Sequence, residues 1–346
     1  MRPLVECVPN ISEGRDTEII EQIVSGIDSI DGCALLSCEP DADYNRTVVT
    51  IAGLPESVLE AAFHVVAKSK ELVDMRNHSG EHPRLGAVDV CPFIPLRDST
   101  YDECVKLANR LGERVANELD LPVYYYGNAA VSDERRVLSD LRKGEYEGLE
   151  SRLTNAETIH GDSTRYPDLG PKIWNEDIAK FGAIVIGSRP ILVAYNVNLA
   201  ETDARVAKMC GTIVRSSGRL IKSGDKRMRV SGMLSKVQGM GLPLESHGIS
   251  QVSMNLQDVS VTDMHDAYEC IRSLAADHGV EIAGSELVGL APLSSFINAG
   301  KWYHPEPDSC SENELVEAAV QGLGLDSLGE FIPEQRIIEW AAEAVN

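Results

Sequence analysis

The apolar run Ala87-Val88-Asp89-Val90-Cys91-Pro92-Phe93-Ile94-Pro95 reads, over 87–93, as a buried strand, short and apolar. Immediately before it stands Arg76-Asn77-His78-Ser79-Gly80-Glu81-His82-Pro83-Arg84-Leu85-Gly86, which packs two histidines, one carboxylate and two arginines into nine positions. Polar side chains on a loop held by a rigid strand are a common way to build an active site. Outward from this point, strands are expected over 4–8, 34–38, 46–52 and 122–126, and helices over 16–27, 56–75 and 101–119. Helices interleaved with strands in this way predict a two-layer α/β domain.

The chain has 346 residues and is 43% apolar, enough for one large core or two ordinary ones. The first residues lack the apolar segment of a signal peptide, and no run approaches the ~18 apolar residues of a membrane span, which points to the cytoplasm. Eight cysteines occur without C-x-x-C pairs, mostly inside apolar segments, and read as buried reduced thiols. A net charge of −22 argues against nucleic acid or an anionic membrane as partner. The charge is uneven. Between Ala204 and Val237 nine basic residues face one acid, so this segment carries +8 and the remainder −30. It reads either as a solvated helix face with a loop or as a surface for a small anion; having no Phe, Trp or Tyr, it offers no stacking platform for single-stranded nucleic acid.

The Gly-, Pro- and Asp-rich stretch 158–171 interrupts the pattern and is taken as the junction, dividing the chain into 1–178 and 179–346. Beyond it, 182–187 and 191–197 read as a pair of strands, followed by helices over 203–216 and 265–278, strands over 251–256 and 280–283, and helices over 311–323 and 333–344. There is no fixed-period repeat, Walker loop or dinucleotide fingerprint, so phosphate binding of that kind is unsupported.

His78-Ser79-Gly80-Glu81-His82 matches H-x-x-E-H, the inverted zinc-protease pattern. Gly80 weakens a helix interior and Pro83 pushes His82 out of the α region, so two rings converging on one helix face are not expected, and no metal is assigned. A second reading has His82 satisfying backbone groups in a turn. The third is general acid/base catalysis, with Glu81 orienting the imidazole and Arg84 gripping an anionic substrate carboxylate bidentately.

The segment 80–95 closely resembles the signature of the glutamate formiminotransferases, including the transferase half of formiminotransferase-cyclodeaminase. The resemblance extends through Leu4-Val5-Glu6-Cys7-Val8-Pro9-Asn10-Ile11-Ser12-Glu13-Gly14, Asn45-Arg46-Thr47-Val48, Ala194-Tyr195-Asn196-Val197-Asn198-Leu199, Lys236-Val237-Gln238-Gly239, Gln251-Val252-Ser253-Met254-Asn255-Leu256 and Gly284-Ser285-Glu286-Leu287-Val288-Gly289-Leu290, almost the whole chain. It implies transfer of the formimino group of N-formimino-L-glutamate to N5 of tetrahydrofolate in histidine degradation, with tetrahydrofolate as co-substrate and no metal. It further implies two α/β subdomains with mixed sheets, a substrate tunnel between them and a homodimer. The family's catalytic histidine falls on His82, and its carboxylate partner is sought among Glu39, Asp41, Asp43 and Glu81. Substrate-binding positions are Arg84, Asn45, Arg46, Asn196, Asn198, Lys236 and Gln238. The folate-binding stretch corresponds to about 170–182, with Gly170, Pro171, Lys172 and Gly182 as contacts; this chain carries a few extra residues there, over 174–177.

The basic segment fits the same reading, because glutamate and the folate tail are anionic; some of Arg205, Lys208, Arg215, Lys222, Arg229 and Lys236 are expected at a folate entrance. The chain ends shortly after Leu328, so a separate cyclodeaminase is expected to take the product. Three other readings stand beside the transferase: formyl transfer from 5-formyltetrahydrofolate to glutamate through the same His82, a zinc hydrolase built on His78 and His82, and a catalytically silent folate-binding subunit.

Overall fold

A computed structural model describes residues 2–80, 82–154, 165–224, 226–244 and 247–344. The chain divides into two compact units, Met1–Arg189 with Ala342–Asn346, and Pro190–Ala341. Among the described residues no helix is long and apolar enough to cross a membrane.

The first unit is built on a mixed sheet of seven strands: β1 (Val5–Cys7), β2 (Asn10–Ile11), β3 (Cys33–Asp41), β4 (Arg46–Gly53), β5 (Val88–Pro95), β6 (Val123–Gly127) and β7 (Ile184–Ser188). β1 and β2 both lie between β4 and β5, each antiparallel to the two, so they form one strand interrupted at Val8-Pro9. Pro9 has no amide hydrogen to give the ladder, which explains the break. β3 pairs with β4, while β5, β7 and β6 run parallel, Val90 opposite Val185 and Tyr124 opposite the same Val185.

Helices α1 (Thr17–Val24), α2 (Pro55–Leu72) and α3 (Tyr101–Glu118) cover one face. Asp16 caps α1, Pro55 pre-sets the first turn of α2, and Thr100 with Glu103 closes a capping box on α3. Val65 and Val66 of α2 and Leu111 and Val115 of α3 pack with Cys91 and Ile186 of the sheet. The other face of β5, β6 and β7 lies under three short helices, α4 (Leu138–Leu141), α5 (Leu149–Thr154) and α6 (Glu176–Phe181), through Val90, Tyr124, Val185, Leu141, Leu149 and Ile178. Cover on both faces is why β5 reads as a continuous apolar run rather than an alternating one.

The strand expected over 182–187 is β7, and it belongs to this first sheet, not to a pair with the strand that follows. Its side chains on both faces are apolar, which suits an interior parallel position between β5 and β6. The unit boundary therefore falls at Arg189, after β7. The first half of the junction stretch, 158–164, lies outside the described residues.

The second unit carries an antiparallel sheet in the order β11 (Val237–Leu244), β12 (Ile249–Leu256), β8 (Val193–Leu199), β13 (Ile282–Val288), with α7 (Arg205–Val214), α8 (Met264–Ala276), α9 (Leu293–Tyr303) and α10 (Glu312–Leu323). Val193, Tyr195, Val197, Val252, Met254 and Leu287 point into one core with the helices; the residues between them face the other way. A separate hairpin, β9 (Arg219–Ser223) with β10 (Lys226–Val230), occupies the stretch read as helix face and loop, and every β10 residue is exposed. Five of the eight cysteines are buried and all are free.

Candidate active site

The histidine loop is tied down by the β3–β4 turn. Asn45 adopts φ 48°, a left-handed conformation that asparagine tolerates, and is 6% exposed. Its Oδ1 accepts from Gly14 N at 2.9 Å, its Nδ2 donates to Ser79 O at 2.9 Å, and its carbonyl lies 3.0 Å from His78 Nε2. Gly80 passes so close that a Cβ there would meet Tyr44 O at 2.4 Å. Arg84 Nε donates to His78 Nδ1 at 3.2 Å, so Nδ1 is the unprotonated nitrogen and Nε2 carries the hydrogen toward Asn45. Both nitrogens of His78 are thus engaged within the chain.

Arg84, expected to hold substrate, is 5% exposed and its fork is filled by the chain itself. Its Nη1 and Nη2 reach Glu147 Oε2 and Oε1 at 2.9 and 2.5 Å, and Nη1 also reaches Glu145 Oε2 at 3.0 Å. Tyr146 N donates to Arg84 O, which fixes the two flanking glutamates over the guanidinium. These groups line a cavity of about 410 Å³ with His78, Ser79, Gly80 and Gly144.

His82 follows this anchor. Burial, then Arg46, Arg142, Arg84 and His78, push its pKa down to about 3. It is therefore a neutral imidazole in a cationic field, and among the described residues no hydrogen bond engages its ring. Arg142, a residue the sequence reading did not single out, is held by Asp89, which is 1% exposed and accepts from Leu85 N at 2.9 Å as well as from the Arg142 guanidinium. Arg46 is less committed: its Nη1 reaches Asn10 Oδ1 at 3.4 Å, and its buried Nε has no hydrogen-bond partner among the described residues.

Among the described residues no carboxylate is in the group acting most strongly on His82. Asp41 uses Oδ1 to accept from the amides of Asp43 and Tyr44, closing the hairpin turn, and sits opposite Arg46 in the register. Glu39 is an exposed residue opposite Val48, and Asp43 is exposed. Glu81 lies outside the described residues. Of the expected folate positions, Gly170 and Gly182 take φ near +80° and lie against the backbone of Leu121 and Leu85, where any Cβ would clash. Pro171 is half-buried and Lys172 exposed, just before α6.

In the second unit, Asn196 and Asn198 stand on the sheet face turned away from the helices, with Gln251 and Glu286 beside them. Asn196 Nδ2 donates to Glu286 Oε2 at 3.1 Å, and Gln251 Nε2 lies 2.9 Å from both Glu286 Oε2 and Asn198 Oδ1. The strict polar–apolar alternation of 251–256 was the available signal for this face. Gln238 is exposed on β11, and Lys236, at φ 59°, leads into that strand. Of the basic segment, Arg205 pairs with Asp203, Arg215 donates to Gly218 O and Arg229 to Ser217 O, while the hairpin sets Lys222 opposite Arg227, like charge against like.

Comparison with known proteins covers both units. The family model described as formiminotransferase domain, N-terminal subdomain, matches residues 4–189, and the formiminotransferase domain model matches 194–343. The chain is 42% identical to the formimidoyltransferase-cyclodeaminase of Rattus norvegicus across 98% of its own length and 60% of that protein. It is 35% identical to the glutamate formimidoyltransferase of Streptococcus pyogenes serotype M1 across 93% of its length and 100% of the relative, and 38% identical to that of Thermoplasma acidophilum across 87% and 92%. It thus spans about 60% of the cyclodeaminase-bearing relative and nearly all of the shorter ones. With both of its units matched, the chain belongs to the formiminotransferase family.

Proposed function

We propose that this chain transfers the formimino group of N-formimino-L-glutamate to N5 of tetrahydrofolate, releasing L-glutamate. The names borne by the Streptococcus and Thermoplasma relatives support the reading. The observation that carries it here is His82, neutral and without a hydrogen bond among the described residues, within the field of Arg46, Arg84 and Arg142. A base that must take a proton has to be unprotonated at rest, and both substrates bring carboxylates that the arginines attract.

In this scheme N5 attacks the amidine carbon, His82 accepts the N5 proton, and the tetrahedral intermediate expels glutamate's nitrogen as His82 returns the proton to it. One C–N bond forms, one breaks, and the amine leaves neutral. At a pKa of about 3 the resting imidazole is a weak base. A substrate carboxylate on Arg46 offsets the cationic field and raises that pKa, so base strength arrives with the substrate. Arg46, with its unpaired Nε, is assigned the carboxylate. Arg84 and Asn45 are positioning residues that hold the loop, since their polar groups are already taken. Gly170, Pro171, Lys172 and Gly182 are retained as a folate-binding stretch, and Lys236 and Gln238 as substrate contacts, on the strength of the resemblance. A cytoplasmic homodimer belongs to the same reading and is checked by light scattering and fractionation.

The test mixes protein, formiminoglutamate and tetrahydrofolate and follows the 5-formimino product after acid conversion to its absorbing methenyl form. Turnover that falls ~10²–10⁴-fold in His82→Ala is expected. No turnover by the wild type, or full turnover by His82→Ala, overturns it.

A further inference from the structure

The polar face of the second unit carries a hydrogen-bond pattern that its own chemistry fixes. Glu286 on β13 and Asn196 on β8 are register partners, as are Gln251 on β12 and Asn198 on β8, so four side chains stand together on one face of three neighbouring strands. A carboxylate only accepts, so Gln251 must turn its amide nitrogen to Glu286 Oε2. The same nitrogen lies 2.9 Å from Asn198, which must therefore present its oxygen. That leaves the Asn198 Nδ2 donor, on a side chain that is 0% exposed, without an acceptor among the described residues. Exchanging O and N on either amide breaks a bond to Glu286 or to Gln251, so the orphan is built in. A buried donor left unpaired is costly and calls for an acceptor from outside the chain. Beside it, Glu286 spends Oε2 on Asn196 and Gln251, while Oε1 takes no hydrogen bond among the described residues.

We propose that Glu286 and Asn198 read the 2-amino-4-oxopyrimidine edge of the pterin, Glu286 accepting from the 2-amino group and the adjacent ring N–H while the Asn198 amide donates to the 4-oxo oxygen. This rests on the folate reading above and names the part of the folate this face recognises. The two donors and one acceptor of that edge complement one carboxylate and one amide hydrogen. The amidinium of formiminoglutamate offers donors alone and would leave Asn198 unsatisfied, so the pterin is the better occupant. Gln251 and Asn196 act as positioning residues, setting the polarity of the network.

The test is equilibrium binding of two reduced folates, the natural 4-oxo ring and a 2,4-diamino analogue that replaces the 4-oxo acceptor by an amino donor and also lacks the ring N3 hydrogen, each compared between the full chain and two isosteric variants, with formiminoglutamate KM and urea midpoint measured alongside. Glu286→Gln is expected to weaken both folates at least tenfold. Asn198→Asp exchanges the donor for an acceptor, so it should weaken the 4-oxo folate at least tenfold and tighten the 2,4-diamino analogue, a reversal that a merely structural role would not produce. In both variants the loss should fall on the folate more than on formiminoglutamate. Variants that bind both folates as the wild type does, that lose the two rings equally at position 198, or that shift mainly the formiminoglutamate KM overturn the assignment, the last in favour of the amidinium. A wild type that binds no folate would sink the transferase reading itself, whereas wild-type binding and turnover with unresponsive variants would sink this inference alone.

Discussion

The depressed pKa of His82 makes a stability prediction that needs no substrate. In the unfolded chain the imidazole titrates near 6.5, and in the folded protein at about 3. Between these values the unfolded state binds the proton and the folded state refuses it, so stability is fully present above pH 6.5 and is lost as pH falls toward 3. At pH 5 the unfolded imidazole is almost wholly protonated and the folded one almost wholly neutral. The linkage costs the fold ~2 kcal/mol there relative to pH 8, at 1.36 kcal/mol per pH unit below 6.5. The perturbation is His82→Gln, which removes the titration but keeps a polar side chain of similar size. Urea unfolding of both proteins at pH 8 and pH 5 gives two losses of stability, and every other titrating group cancels in their difference. The wild type should lose ~2 kcal/mol more than the variant, and saturating L-glutamate, by neutralising the arginines, should shrink that excess. Losses agreeing within ~0.5 kcal/mol would refute the buried, cationic setting of His82 and with it the account of how the base is switched on.

Arg142→Met strips the partner from a carboxylate that is 1% exposed and should cost ~3–5 kcal/mol in urea unfolding, while the double variant with Asp89→Asn should cost less than the sum of the two single changes. Asn45→Ala removes two side-chain hydrogen bonds and places alanine at φ 48°; a loss of ~2–3 kcal/mol is expected, with kcat falling more than KM changes because the histidine loop is displaced rather than the substrate grip. Arg46→Met should raise the formiminoglutamate KM at least tenfold and move the His82 titration, followed by its ring protons in NMR, up toward 6.5; an unmoved titration would remove Arg46 from the site.

Much of the first unit was legible in the chain. The apolar run from Ala87 to Phe93 was readable as a buried strand, and the periods around it placed α2 and α3 because one-sided burial leaves a periodic trace. The strand at 182–187 was found but misassigned, because an apolar run tells that a strand is buried and not which neighbours it pairs with; parallel pairing with β5 and β6 is a contact across long sequence separation. The hairpin β9–β10 was read as helix face and loop because charge, not hydrophobic period, dominates its sequence. At the site, the residue types in 78–84 announced acid/base chemistry, but the guanidinium of Arg84 looked free only because Glu145 and Glu147 lie some sixty positions away.

The class of fold, the histidine loop and the family are all readable along the chain, since each is carried by local period or by contiguous motif. Folding is what fills Arg84 while leaving Arg46 Nε and the Asn198 donor without partners among the described residues, and what brings Arg142, held on Asp89, into the field around His82. These are properties of side chains brought together from distant positions, where burial and neighbouring charge, neither of them written in any one segment, set protonation and hydrogen-bond polarity.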